Sequence, residues 1–234
     1  GRKDMKIGII GAMAQEVKIL TESFKEIKKW KKAGATFYSG EIAGNEVIVV
    51  QSGIGKVLAS LTASLLIQHY QVDLLINTGS AGGIGKGLSV GDVVIAEKLA
   101  YYDVDATGFG YSYGQLPGGM PLYYETDSKL VAQIADAAEK SNLSIKKGLI
   151  VTGDSFIDDQ DKIQEILSHF PTALCCEMEG TAIAQTAYQF DVPVVVIRAM
   201  SDTADHAATQ SFDEFIDEAG QRSAEMVLTF IRSI

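Results

Sequence analysis

Ala173-Leu174-Cys175-Cys176-Glu177-Met178-Glu179 and Val194-Val195-Val196-Ile197-Arg198-Ala199-Met200-Ser201-Asp202 each run from a continuous apolar stretch into acid. Apolar runs without alternation read as strands covered on both faces, which requires helices on either side of a sheet. In open α/β sheets ligands sit beyond the carboxyl ends of such strands, so acids placed there are candidates for chemistry.

Outward from these two strands, apolar runs alternate with helix-spaced segments along almost the whole chain, which argues for a layered α/β fold. A strand is expected at 6–12, followed by helical spacing through Glu16, Val17, Leu20 and Phe24. Residues 37–42 and 46–51 flank Ala43-Gly44-Asn45 as a hairpin, and a helix follows over 56–70. Short strands are read at 74–77 and 93–96, and the glycine-dominated stretch between them is expected to be a tight loop. Further helices are expected at 127–140, 159–168, 180–190 and 212–231, with a strand at 148–151. Residues 103–126 lack periodicity, and six of the nine tyrosines fall between 101 and 124. Long irregular loops are commonly functional, so this one is expected to be a ligand lid or a subunit contact.

A chain of 234 residues with 47% apolar content can bury one sizeable core. One domain is expected over 5–234, with 1–4 an expression remnant ahead of a natural-looking Met5. The formal charge of -10 argues against DNA or an anionic membrane surface as partner and favours small molecules. No leader peptide or spanning segment is recognisable, so a cytoplasmic location is expected. Cys175 and Cys176 are adjacent on a buried strand, where small apolar packing is expected and neither a disulfide nor catalysis.

Two glycine loops fail as phosphate cradles. Asn77-Thr78-Gly79-Ser80-Ala81-Gly82-Gly83-Ile84-Gly85 leads towards another strand instead of opening a helix, and in Ser52-Gly53-Ile54-Gly55-Lys56 the next residue, Val57, replaces the metal-binding hydroxyl. Glu16 and Glu179 each open a helix, where a role towards the helix dipole competes with chemistry, and Asp202 competes as an N-cap. Their common placement at strand ends of one sheet favours a single site. Arg198, one of four arginines, lies in a buried strand and must meet an acid. With no second arginine to hold phosphate, water is the expected nucleophile. Phe156 and Ile157 follow a strand end, where Phe156 either plugs the core or faces a flat base. His206 with Asp202 and Asp205 is the one local metal-like cluster; all three histidines are read as structural or surface residues, and no metal is expected.

Taken together, Gly8-Ile9-Ile10-Gly11-Ala12-Met13 with Glu16, Ser52-Gly53-Ile54-Gly55-Lys56, Asn77-Thr78-Gly79-Ser80-Ala81-Gly82-Gly83, Phe109-Gly110-Tyr111, Thr152-Gly153-Asp154, Glu177-Met178-Glu179 and Arg198-Ala199-Met200-Ser201-Asp202 resemble the bacterial 5'-methylthioadenosine/S-adenosylhomocysteine nucleosidases. The resemblance runs in order from Met5 to the end. It implies a three-layer αβα sandwich with a mixed central sheet, as in nucleoside phosphorylases and hydrolases, and a homodimer without a cofactor. The implied reaction is hydrolysis of the N-glycosidic bond of both nucleosides, serving methionine salvage and methyl-cycle recycling. By the same resemblance Asp202 is the general acid on adenine, Glu179 holds the ribose hydroxyls with Met178 against the sugar, and Glu16 with Arg198 positions water. Phe156 stacks on adenine, Ile157 offers it backbone hydrogen bonds, and Ser80, Gly82, Glu177 and Ser201 lie among the substrate-binding residues. Met13, Ile54 and Phe212 match the pocket for the 5'-thio group, completed by Phe109, Tyr111 and Pro117 of a partner subunit. Gly180, where relatives frequently have alanine, is expected to loosen Glu179 slightly, and Ala14-Gln15 replaces acids common before Glu16.

Two rivals remain at this level. A phosphorylase on the same fold would use phosphate, and a binding module would hold a nucleoside without cleaving it. Glu16 argues against the first, because a carboxylate repels phosphate but activates water.

Overall fold

Among the described residues ten strands pair into one mixed sheet. The structure, a computed structural model, describes residues 5–140, 143–205 and 207–234; residues 1–4 and His206, on which two sequence expectations fall, lie outside the described residues. The strands are β1 (Lys6–Gly11), β2 (Lys28–Lys32), β3 (Ala35–Ile42), β4 (Asn45–Gln51), β5 (Leu74–Gly83), β6 (Val93–Tyr101), β7 (Tyr124–Glu125), β8 (Ile145–Thr152), β9 (Ala173–Glu177) and β10 (Val194–Asp202). They pair in the order β10-β6-β8-β9-β5-β1-β4-β3-β2, with β7 beside β6. Fully buried β5 and β10 run parallel at the centre, as continuous apolar runs require. Helices α1 (Ala14–Glu22), α3 (Ser128–Lys140) and α6 (Ala208–Ser233) share one apolar cluster with Ile7, Ile9, Ile76 and Ile197 on one face. Helices α2 (Lys56–Gln68) and α5 (Gly180–Phe190) pack with Ile10, Leu75 and Val196 on the other, and α4 (Gln160–His169) joins a third cluster through Ile163 and Ile166. The three layers expected for this fold class are present.

β5 is the strand that makes the site. It pairs with β1 from Leu74 to Asn77 and with β9 only at Gly82 and Gly83, while its other edge follows β10 throughout. Consequently β10, β6, β8, β9 and β5 pair in a closed circuit, from which β1, β4, β3 and β2 extend. Between Asn77 and Gly82 one edge of β5 has no strand beside it, and the ends of β1 and β9 diverge around that gap. This corrects the expected glycine loop: Asn77-Thr78-Gly79-Ser80-Ala81-Gly82-Gly83 makes up the last seven residues of a ten-residue strand. Glycine has low strand propensity, so the pattern read as a loop. Its presence has a packing cause. A Cβ built on Gly79 would stand 2.8 Å from both Arg198 Nη1 and Glu16 Oε2.

The edge strand β2 was also missed, because only Trp30 of Lys28-Lys29-Trp30-Lys31-Lys32 turns inward, stacking on His69 at 3.8 Å. The exposed lysines form a basic strip on a chain of net charge -10, and lysine on an open edge opposes strand-to-strand association. The last helix starts at Ala208, four residues before the expected 212. Among the described residues no helix is long and apolar enough to cross a membrane.

Candidate active site

Three turns converge on the gap beside β5. β1 ends at Gly11 and its continuation enters α1, whose first turn carries Glu16. The carboxylate, 2% exposed, folds back so that Oε1 accepts from the amides of Ala12 and Met13, both at 2.9 Å. Oε2 accepts from the Ser80 amide at 2.8 Å and the Ser80 hydroxyl at 3.1 Å. Glu16 therefore serves its helix terminus and also reaches the sheet; the helix-dipole reading and the site reading describe one side chain.

Arg198 sits on β10 directly across from Gly79 and is fully enclosed. Nη1 donates to Ser80 O at 2.9 Å, Nη2 donates to Asn77 Oδ1 at 2.6 Å, and Glu179 Oε1 lies 3.4 Å from both nitrogens. A closer ion pair joins Nη2 to Glu177 Oε2. Glu177 also accepts from the Thr152 hydroxyl and, at 2.7 Å, from the Gly180 amide. Gly180 thus ties the helix start to the end of β9, and the expected loosening of Glu179 finds no support in this hydrogen bonding.

Glu179 caps α5 at its N-terminus, and its Oε2 accepts from the Gly55 amide at 2.9 Å. Burial, added to by the neighbouring Glu177 charge and opposed by Arg198, pushes its carboxyl up to about 7. Asp202 ends β10, where a register shift after Met200 turns it towards Gly82. Its Oδ2 accepts from the Ala204 amide at 2.8 Å and its Oδ1 from the Ser201 hydroxyl at 3.0 Å. Burial outweighs both hydrogen bonds and raises this carboxyl to about 6.

These groups line one cavity of about 430 Å³. Its remaining wall is largely apolar: Met13, Ile54, Ile157 and Met178, with Phe156 and Phe212 packed edge-to-face at 5.5 Å. Ser80, Gly82, Glu177 and Ser201 also border it. Phe156 is 42% exposed, so it does not plug the core. A concave apolar pocket with a few converging charged groups is what a small flat ligand requires. Phe109, Tyr111 and Pro117 are not in this wall, and Phe109 is 87% exposed at the tip of the irregular segment. Sequence reading missed Thr209, which enters the wall because α6 begins early, and Cys176, whose alternation with Cys175 along β9 was the available signal.

The chain matches the Phosphorylase superfamily over residues 6–232. It is 48% identical to the 5'-methylthioadenosine/S-adenosylhomocysteine nucleosidase of Exiguobacterium sp., over 98% of this chain and 99% of that one. This chain belongs to that nucleosidase family. Two solved members of the family superimpose closely. The S-adenosylhomocysteine nucleosidase of Streptococcus pyogenes, in complex with 5-methylthiotubericidin, has a TM-score of 0.97 at 46% identity, covering 100% of this chain and 99% of that one. The 5'-methylthioadenosine/S-adenosylhomocysteine nucleosidase of S. pneumoniae, with the transition-state inhibitor MT-ImmA, has a TM-score of 0.95 at 52% identity, covering 98% and 99%. The fold expected of the nucleosidase family is thereby the fold of this chain.

Proposed function

We propose that this nucleosidase-family chain hydrolyses the N-glycosidic bond of 5'-methylthioadenosine and S-adenosylhomocysteine, releasing adenine and the thio-substituted ribose. The family assignment supports the reaction class, and one observation carries the choice of water over phosphate. Both terminal nitrogens of Arg198 are already engaged by Glu177, Glu179, Asn77 and Ser80, and among the described residues no second guanidinium lines the cavity to hold a phosphate dianion.

As the C1'–N9 bond breaks, its electrons pass to the purine and positive charge builds on the ribose ring. Asp202, raised to about 6, delivers its proton to adenine N7. Glu179 accepts from the ribose hydroxyls, and its anion, held by Arg198 and the Gly55 amide, lies beside the developing cation. Water adds to C1' and gives a proton to Glu16. Four donors fill the acceptor sites of that carboxylate, and the Ser80 hydroxyl, the longest at 3.1 Å, is the one free to rotate away as water arrives. Phe156 stacks on the base, Ile157 meets its edge, and Met13, Ile54, Met178 and Phe212 enclose the sugar and thioether.

The reading extends to a homodimer in which Phe109, Tyr111 and Pro117 complete the partner's pocket. The exposed apolar side chains of Val57, Leu61 and Phe190 beside a groove between α2 and α5 support it, since patches of this kind mark subunit contacts. Residues 5–234 act as a single cytoplasmic domain in this reading.

The deciding assay incubates the protein with 5'-methylthioadenosine, with and without phosphate, and identifies both products by mass. Free adenine and methylthioribose at a phosphate-independent rate are expected. A phosphate-dependent sugar 1-phosphate would make it a phosphorylase, and tight binding without cleavage a binding module.

A pH dependence follows from the two raised carboxyls. The general acid Asp202 works only while protonated and Glu179 only while ionised, so kcat/KM is expected to be greatest between about pH 6 and 7 and to fall about tenfold per unit on either side. Both groups bind protons more tightly folded than unfolded, where carboxyls titrate near 4. Their stabilising contribution is complete below about pH 4 and is lost as pH rises towards 6 and 7, at roughly 1.4 kcal/mol per unit and group. Thermal unfolding should therefore show Asp202→Asn gaining on the wild type between about pH 4 and 6 and running parallel to it above; curves parallel throughout would mean Asp202 titrates normally.

A further inference from the structure

Outside the cavity lies a second cluster of charged groups that no step above uses. Lys56 opens α2, Asp103 stands just after β6 where the irregular segment leaves the sheet, and Asp154 follows β8. Lys56 Nζ donates to Asp103 Oδ1 at 2.6 Å, the Asp154 amide donates to Asp103 Oδ2 at 3.0 Å, and the Lys56 amide donates to Asp154 Oδ1 at 2.9 Å. The three residues are thus joined in a ring, two of its three bonds using main-chain donors. The Lys56 ammonium also lies 4.8 Å from the Tyr101 ring centroid. Close approach is built in, for a Cβ added to Gly55, at φ +100°, would stand 3.2 Å from Asp154 Oδ1.

What the ring connects gives it meaning. One residue before Lys56, the Gly55 amide donates to Glu179 Oε2, and Ile54 is pocket wall. Two residues after Asp154 comes Phe156, and Ser155 also borders the cavity. One residue before Asp103, the Tyr102 amide donates to Thr152 O and its hydroxyl to Ser155 O, both at 3.0 Å. Beyond Asp103 the segment is folded back on this root, with the Gly114 amide on Val104 O at 2.8 Å and the Tyr113 hydroxyl on Tyr102 O at 2.7 Å. At its tip stands Phe109.

We propose that Lys56, Asp103 and Asp154 are positioning residues that lock three things into one frame: the turn that holds Glu179, the loop that carries Phe156, and the root of the 103–117 segment. The inference rests on the functional reading above, because it gives Glu179 and Phe156 their roles and sends the segment to the partner's pocket. It adds a consequence: a change in one subunit's own pocket wall is passed to the segment that closes its neighbour's. The ion pair is about a quarter exposed, 23% for Lys56 and 28% for Asp103, so it contributes geometry more than stability.

The test uses Asp103→Ala, Lys56→Met and the double variant of the full chain. Amide hydrogen exchange is measured first, since it requires no turnover. In Asp103→Ala, exchange in the peptides spanning 52–58 and 102–117 is expected to rise about tenfold or more, with the unfolding temperature nearly unchanged. Unchanged exchange would overturn the proposal even if wild-type enzyme proved inactive on 5'-methylthioadenosine, an outcome that would count against the functional reading alone. With an active wild type, Asp103→Ala is expected to raise KM about tenfold and lower kcat less, and the double variant to lose no more than the worse single one. Additive losses, or normal KM with faster exchange, would also refute the frame.

Discussion

Asp202→Asn is expected to fold, bind 5'-methylthioadenosine and lose about 10²- to 10⁴-fold in kcat. Asparagine has the same shape and preserves the local bonds: its carbonyl oxygen accepts from the Ala204 amide, and its NH2 group faces the Ser201 hydroxyl, which turns to accept. What is lost is the proton. Without it the purine must leave as a more basic anion, and the fall in kcat/KM above about pH 7 should disappear with the group that causes it. Stopped assays of adenine release across pH 5 to 8 decide the matter. A rate within threefold of wild type would remove Asp202 from proton transfer.

The second large effect is on stability. Arg198→Met removes a fully enclosed guanidinium while leaving Glu177 and Glu179 buried, along with the acceptors Asn77 Oδ1 and Ser80 O. Breaking a buried pair from one side costs about 3–5 kcal/mol, because the other charge stays in place without its partner. For a chain of this size that lowers Tm by on the order of 10 °C. The loss should shrink towards pH 5, where Glu179 is protonated and needs the cation less. Adding Glu177→Gln to Arg198→Met should recover part of it, since the uncompensated charge is then halved. Calorimetry of the two single variants and the double variant closes the cycle. A cost under 1 kcal/mol for Arg198→Met would contradict the buried ion pair.

Both predictions concern residues legible from sequence, and the reason is physical. Apolar runs such as Val194-Val195-Val196-Ile197 can be satisfied only by a doubly covered strand, so an acid a few residues beyond one is placed at a sheet end before any tertiary contact is known. Glu16, Glu179 and Asp202 were found that way, and Arg198 by the need of a buried cation for an anion. The residues that were misread carry no such pattern. In Lys28-Lys29-Trp30-Lys31-Lys32 a single inward side chain anchors the strand, and the rest is surface. Thr209 and Ser155 are small polar residues whose membership of the pocket depends on where a helix begins and how a loop returns.

Burial periodicity and short motifs are local properties of the chain, and they were enough to define the layered α/β class, the strand ends that hold the acids and, through motif resemblance, the family. That Asn77–Gly83 is strand, that Arg198 is shared between Glu177 and Glu179, and that Glu16 is held by Ser80 across the gap in β5 emerged from long-range contacts alone. Those facts depend on which strands stop pairing and where. A glycine reads as a turn until the guanidinium and carboxylate that occupy the space of its missing side chain, at Gly79, are brought to it from residues 119 positions later and 63 earlier.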